Sequence, residues 1–115
     1  MNPKLLLGKG GCGKTTRILQ TVRWLNALVI CYSNDYVRDL KRLCSNEKGF
    51  EGVNFVSAKV ADTFIRGRFF DIVCVDEWRK CYAKNNYLDA CLKVSKIQPV
   101  FTERLDTDNF DVEIM

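Results

Sequence analysis

The chain has 115 residues, 47% of them hydrophobic and 28% charged, and its formal net charge at pH 7 is +4. This length suits one compact domain, and this balance of residues excludes an intrinsically disordered chain. The longest apolar runs, such as residues 27–32, have only the length of a strand. We therefore expect no membrane span, no secretory signal and a cytoplasmic location. The mild positive charge permits a nucleic-acid partner without requiring one.

The cysteines are spread along the chain rather than paired. They lie at positions 12, 31, 44, 74, 81 and 91, and no histidine is present to complete a zinc site. This spacing favours reduced thiols over a disulfide framework. Cys31 and Cys74 lie inside apolar runs, so we expect both to pack as small hydrophobic residues.

Short apolar runs alternate with amphipathic stretches throughout the chain. Strands are predicted at 4–7, 27–33, 52–58, 69–77 and 97–103, and helices at 14–25, 35–44, 59–68 and 85–96. The apolar faces expected for the first two helices are Ile18, Leu19, Val22 and Leu25, then Tyr36, Val37, Leu40, Leu43 and Cys44. Residues 106–115 form either an edge strand or a trailing segment. The alternation predicts one α/β domain over 1–115, a three-layer sandwich with a mainly parallel five-stranded sheet.

A glycine-rich stretch joins the first strand to the first helix. Residues 8–15 read G-K-G-G-C-G-K-T and match the phosphate-binding pattern G-x-x-x-x-G-K-[ST] at every fixed position. Glycines let backbone N–H groups turn towards phosphates, and the helix N-terminus adds its dipole. We expect Lys14 to reach the β- and γ-phosphates and the Thr15 hydroxyl to ligate Mg²⁺. The predicted site for ATP or GTP comprises Gly8, Lys9, Gly10, Gly11, Cys12, Gly13, Lys14, Thr15 and Thr16.

An acidic pair follows the apolar strand in "DIVCVDE". A metal held beside the phosphates needs a carboxylate at the end of a neighbouring strand, and Asp76 supplies one. We expect Asp76 to orient Mg²⁺ or one of its water ligands. Glu77 is then the predicted general base that activates the attacking water.

These residues resemble the P-loop NTPases. The order and spacing of "GCGKT", "ALVICYSNDYVRDL" and "VSAKVADTFIRGRFFDIVCVDE" are similar to the first RecA-like ATPase half of superfamily 1 helicases, including viral members such as the plant-virus triple-gene-block movement proteins. The resemblance covers roughly residues 4 to 104 and is specific at the two Walker motifs. It implies a Mg²⁺-dependent ATP hydrolase coupled to single-stranded RNA or DNA, in the host cytoplasm if the source is viral.

The chain departs from that family at two points. Where the helicases carry G-D-x-x-Q after the fifth strand, this chain has "VFTERLD", in which Thr102 takes the place of a polar γ-phosphate sensor. A second RecA-like half is also missing from this sequence. We therefore expect no autonomous unwinding, and we expect a homo-oligomer or a partner subunit to supply an arginine finger.

Three alternatives stay open. Lys9 to Thr16 also match the loop of the deviant Walker A ATPases of partitioning and arsenical-pump type, in which Lys9 would reach a partner's nucleotide. That family, however, expects an aspartate at the end of the second strand, where this chain has Cys31 and Ser33. It also expects a different switch sequence after the Walker B strand, where this chain has "DEWRK". A nucleoside or nucleotide kinase also follows its Walker B strand with Asp-Glu, although no lid or zinc ribbon is evident here. A non-hydrolysing, nucleotide-gated binding module would need only the loop.

Basic residues form three clusters beside aromatic ones, which is the composition that holds single strands without sequence preference. The basic residues are Arg38, Lys41 and Arg42, then Arg66 and Arg68, then Arg79, Lys80 and Lys84; the aromatic residues are Tyr36, Phe64, Phe69, Trp78 and Tyr82. The alternative interpretation is that these are ordinary solvated faces. Trp78 either stacks on a base or packs beneath the following helix.

Overall fold

The computed structural model describes residues 3–7, 13–102 and 111–114. Its strands are β1 (Lys4–Leu7), β2 (Ala27–Cys31), β3 (Val53–Ser57), β4 (Ile72–Val75), β5 (Val100–Thr102) and β6 (Asp111–Ile114). Its helices are α1 (Lys14–Val22), α2 (Asn34–Cys44), α3 (Ala58–Phe64), α4 (Trp78–Lys84) and α5 (Asp89–Leu92).

All described strands join one parallel sheet in the order β3-β2-β4-β5-β1-β6. The five predicted strands are present, which confirms the parallel α/β prediction. The sixth strand, β6, pairs with β1 in register Lys4 to Asp111, so the C-terminal segment is an edge strand. Parallel neighbours need long crossover connections, and helices supply them between the consecutive strands from β1 to β5.

Two apolar cores lie on opposite faces of the sheet. Leu28 and Ile30 of β2 face α3, α4 and α5, whereas Ala27, Val29 and Cys31 of the same strand face α1 and α2. This alternation follows the two-residue period of a strand. Strands β2 and β4 are buried along their whole length. Their sequences are continuous apolar runs, as expected for strands covered on two faces.

Helix α1 ends at Val22 rather than at the predicted Leu25. Trp24 has a φ of 72°, a left-handed conformation that a helix does not accommodate. The N–H of Trp24 instead donates to the carbonyl of Gly49 at 2.7 Å. Gly49 itself has a φ of +98°, and a Cβ atom there would lie 2.9 Å from the Trp24 ring. The turn after α1 therefore requires glycine at position 49.

The segment after β4 differs from prediction. The single helix expected over 85–96 is wrong: the chain forms α4 at Trp78–Lys84 and then the short α5 at Asp89–Leu92. Asn85 separates them in extended conformation, with φ −153° and ψ 111°. Its side-chain amide donates to the Ala58 carbonyl at 2.9 Å and to Asp62 Oδ1 at 2.8 Å, which explains why the helix stops there.

The burial of side chains tests two further predictions, the apolar face of α2 and the packing of the cysteines. Leu43 is 60% exposed and lies off the apolar face predicted for α2, whereas Val37, Leu40 and Cys44 are buried as expected. The described cysteines, at 31, 44, 74, 81 and 91, are free thiols and all are buried. Within the described part of the chain, no helix is both long and apolar enough to cross a membrane.

Candidate functional site

The candidate site lies at the carboxyl edge of the sheet, where four strands end side by side. Thr15 follows β1 on the first turn of α1, Tyr36 follows β2 on the first turn of α2, Asp76 directly follows β4, and Thr102 ends β5. Loops at this edge are the usual position for ligands in parallel α/β sheets. The topology therefore brings together side chains that are far apart in sequence.

The described part of the predicted phosphate-binding loop begins at Gly13. This residue has φ 91° and ψ 21°, a left-handed conformation suited to glycine, and its carbonyl accepts the Arg17 N–H at 2.9 Å as α1 begins. Lys14 and Thr15 form the first turn of α1, and Thr16 beside them is exposed. The other predicted loop residues, Gly8, Lys9, Gly10, Gly11 and Cys12, lie outside the described residues, so their roles stay predictions.

Asp76 is the centre of a hydrogen-bonded cluster. Its side chain is only 2% exposed. The Thr102 hydroxyl donates to Oδ1 at 2.7 Å, while the Tyr36 hydroxyl at 2.6 Å and the Thr15 hydroxyl at 3.2 Å donate to Oδ2. Thr15 and Asp76 are 61 residues apart in sequence, yet the structure places the two predicted metal-binding side chains in contact.

Tyr36 was expected on an apolar helix face and as an aromatic neighbour of a basic cluster, and its contact with Asp76 was missed. The N–H of Tyr36 donates to the Ser33 hydroxyl, which caps α2, and its ring stacks on Tyr32 with centroids 5.1 Å apart. Burial, followed by the hydrogen bond to Asp76, raises the pKa of the Tyr36 hydroxyl. The hydroxyl is therefore a proton donor at neutral pH. The sequence signal was a tyrosine at the start of a helix that follows a buried strand.

Thr102 uses its hydroxyl in two hydrogen bonds. Besides donating to Asp76, the oxygen accepts the backbone N–H of Glu77 at 2.7 Å. The side chain is completely buried. Its one proton is thus directed at Asp76, so in this structure Thr102 supports the carboxylate rather than presenting a donor to a phosphate.

Glu77 is the N-cap residue of α4 and has a left-handed conformation, with φ 51° and ψ 60°. A residue with a Cβ adopts this conformation at a cost of about 1 kcal/mol, and such strain concentrates at functional sites. The carboxylate lies 3.4 Å from the Lys80 ammonium, which also lies 4.8 Å from the centroid of the Tyr32 ring. The structure therefore places Glu77 beside the site but in an ion pair.

The three predicted basic clusters do not form one surface. Arg38, Lys41 and Arg42 belong to α2, on one face of the sheet, whereas the other two clusters lie after α3 and on α4, on the opposite face. The lysines of α4, Lys80 and Lys84, lie over the ring of Tyr32 at 4.8 and 5.9 Å. Within this third cluster, Lys80 forms an ion pair with Glu77.

A cavity and the distribution of acidic side chains also bear on where a ligand could bind. A cavity of about 400 Å³ lies along β3 at the far edge of the sheet, and none of its lining residues belongs to the predicted nucleotide site. In the described ranges, no group of three or more Cys, Asp or Glu side chains could hold a metal by itself. A Mg²⁺ ion at Asp76 would therefore depend on phosphate oxygens and water, which is how this ion is commonly held at nucleotide sites.

No protein-family model matches the chain, and no curated protein matches it. The residues at the carboxyl edge are therefore the basis for a functional hypothesis. Those residues are a lysine and a threonine at the start of α1, a buried aspartate in contact with that threonine, and a glutamate after the aspartate.

Proposed function

We propose that the chain is a P-loop NTPase domain of RecA-like type that binds and hydrolyses ATP with Mg²⁺. One observation carries this proposal. The hydroxyl of Thr15, directly after the glycine-rich loop and Lys14, lies 3.2 Å from a carboxylate oxygen of Asp76 at the end of β4. A hydroxyl and a carboxylate held together beside a phosphate-binding loop are the protein groups that such a site uses for Mg²⁺.

Each residue then has a role set by its chemistry. The ammonium of Lys14 binds the β- and γ-phosphates, and the loop N–H groups orient them. Thr15 and Asp76 would hold the cation, and its chemistry would be to neutralise charge on the phosphate oxygens. Glu77 takes a proton from the attacking water as its oxygen bonds to the γ-phosphorus and the bond to the leaving ADP breaks. The products are ADP and inorganic phosphate.

We further propose that hydrolysis is coupled to single-stranded nucleic acid. The supporting observation is the cluster of Tyr32, Lys80 and Lys84, which combines positive charge with an aromatic ring beside Glu77. Phosphodiester groups attract lysines, and bases stack on aromatic rings. An arginine finger from a second copy or a partner subunit would complete the site.

A nucleotide-gated binding module is the second candidate. It is favoured by the ion pair between Glu77 and Lys80, because a carboxylate paired with an ammonium is a weaker base for water activation. In this case ATP would bind without turnover and set the shape of a partner surface.

Phosphate release from ATP and GTP tests the proposal, measured with Mg²⁺ and with or without single-stranded RNA or DNA. We expect release by the unmodified chain and loss of release in Lys14→Ala. Lys48→Ala is the matched control, since Lys48 is exposed in the turn between α2 and β3, at the opposite edge of the sheet. Nucleotide binding without release under every condition would instead support the gated module. Equal release by Lys14→Ala would contradict both.

A further inference from the structure

Tyr36 is held in place from both ends. At its backbone, the N–H donates to the Ser33 hydroxyl at 3.2 Å, and its ring stacks on Tyr32. At its tip, the hydroxyl lies 2.6 Å from Asp76 Oδ2 and 2.9 Å from Thr15 Oγ1. The side chain therefore spans the distance between the first turn of α2 and the two groups proposed to hold Mg²⁺.

The number of protons fixes the direction of these hydrogen bonds. The Tyr36 hydroxyl has one proton, and its shortest contact is to Asp76, so its oxygen accepts from Thr15. The Thr15 proton is then shared between the Tyr36 oxygen and Asp76 Oδ2. Both lone pairs of Thr15 stay available to a cation, because its proton points towards the tyrosine and the carboxylate.

The same accounting applies to Asp76. A carboxylate offers about four lone-pair positions. Thr102 occupies one on Oδ1, while Tyr36 and Thr15 occupy two on Oδ2. One position on Oδ1 is left by these three donors. Donors on both oxygens prevent rotation of the carboxylate, so that the remaining position has a fixed direction.

We propose that Tyr36 is a positioning residue for the nucleotide-bound Mg²⁺, since its hydroxyl holds the Asp76 carboxylate and the Thr15 hydroxyl in their metal-binding orientation. The inference rests on the proposed function. It adds Tyr36 of α2 to the proposed metal site. This residue belongs neither to the glycine-rich loop motif nor to the acidic pair. Tyr36 itself acts through Asp76 and Thr15.

Tyr36→Phe isolates the hydroxyl, because phenylalanine keeps the ring that stacks on Tyr32. Tyr82→Phe is a matched control: the Tyr82 hydroxyl also donates to a carboxylate, Asp89 Oδ1 at 2.8 Å, and its ring also packs on aromatic neighbours. Both variants lose one tyrosine–carboxylate hydrogen bond. Only Tyr36→Phe loses it at the proposed metal site.

The experiment is a titration of the full chain with a fluorescent ATP analogue, once with Mg²⁺ and once with EDTA. We expect Tyr36→Phe to weaken binding about tenfold with Mg²⁺, equivalent to about 1.4 kcal/mol, and to leave binding in EDTA unchanged within about twofold. Tyr82→Phe should match the unmodified chain under both conditions. A purely structural role for Tyr36 would weaken binding equally with and without Mg²⁺.

The outcomes separate the inference from the function on which it rests. If the unmodified chain binds with Mg²⁺ dependence and Tyr36→Phe shows the same dependence, the inference is wrong and the proposed function stands. Equal weakening of Tyr36→Phe in Mg²⁺ and in EDTA also overturns the inference. If the unmodified chain binds no nucleotide under either condition, the proposed function fails and the inference fails with it.

Discussion

Replacing Thr102 with valine would remove one hydroxyl from the centre of the site and keep the shape of the side chain nearly unchanged. The Thr102 side chain is completely buried, and its hydroxyl donates to Asp76 Oδ1 and accepts the Glu77 N–H, both at 2.7 Å. Valine leaves the carboxylate oxygen without this donor and the N–H without this acceptor. The change should therefore destabilise the fold even in the absence of any ligand.

The size of the effect follows from these two hydrogen bonds. A hydrogen bond to a charged group contributes about 1.5–3 kcal/mol, and leaving a buried N–H unsatisfied adds about 1 kcal/mol or more. The extra methyl group of valine offsets about 1 kcal/mol through its burial. We expect a net decrease of about 1.5–3 kcal/mol in the free energy of unfolding. With a urea m-value of about 1.5 kcal/mol/M, the midpoint should fall by about 1–2 M.

Urea unfolding followed by tryptophan fluorescence measures this change, with Thr102→Ser as the control. Serine keeps the hydroxyl and loses one methyl group, so it should decrease the free energy of unfolding by only about 1 kcal/mol. If Thr102→Val were as stable as Thr102→Ser or more stable, the two hydrogen bonds of the Thr102 hydroxyl would not stabilise the fold as described.

Three further predictions concern the loop geometry, the thiols and the general base. Gly49→Ala should decrease the free energy of unfolding in urea by about 2 kcal/mol more than Gly67→Ala does. Both glycines have a positive φ, but of the two only a Cβ at position 49 would contact a neighbour, 2.8 Å from Arg23. Equal decreases in the two variants would contradict this close contact at position 49. Burial raises the pKa of the Cys91 thiol from 9.0 to about 11. The thiol therefore loses its proton at a lower pH in the unfolded chain than in the folded one. The free energy of unfolding should decrease between pH 9 and 11, by up to about 1.4 kcal/mol per pH unit. Cys91→Ala should show a shallower decline over that range, and an identical slope would refute this assignment. Glu77→Gln should retain ATP binding and lose phosphate release about 100-fold, whereas unchanged release in the phosphate assay would exclude Glu77 as the base.

The sheet and the meeting of Thr15 with Asp76 were predictable because both follow from periodicity and parallel topology. Apolar runs marked the strands, and parallel strands bring their carboxyl ends to one edge. The loop motif placed Thr15 after β1, and the acidic pair placed Asp76 after β4. No longer-range information was needed to expect these two side chains at the same edge.

The rest of the site depends on tertiary contacts that periodicity does not report. The sequence presents Tyr36 as one more apolar position of α2, and only the fold shows that its hydroxyl reaches Asp76. Helix α4 was missed because the predicted strand ended at Glu77 and residues 78–84 were assigned to no element, although Trp78, Cys81 and Tyr82 have helical spacing. Its start depends on the left-handed conformation of Glu77, a feature that local propensity disfavours.

Calorimetric titration of the purified chain with ATP measures nucleotide binding itself, with Mg²⁺ present and then with the metal removed by EDTA. We predict binding that is saturable, tighter with Mg²⁺ and about 100-fold weaker in Lys14→Ala, because the lysine ammonium is a principal charged contact to the phosphates. Lys48→Ala should bind as the unmodified chain does. Absence of binding in the unmodified chain, or equal binding by Lys14→Ala, would contradict the assignment of the carboxyl edge as a nucleoside triphosphate site.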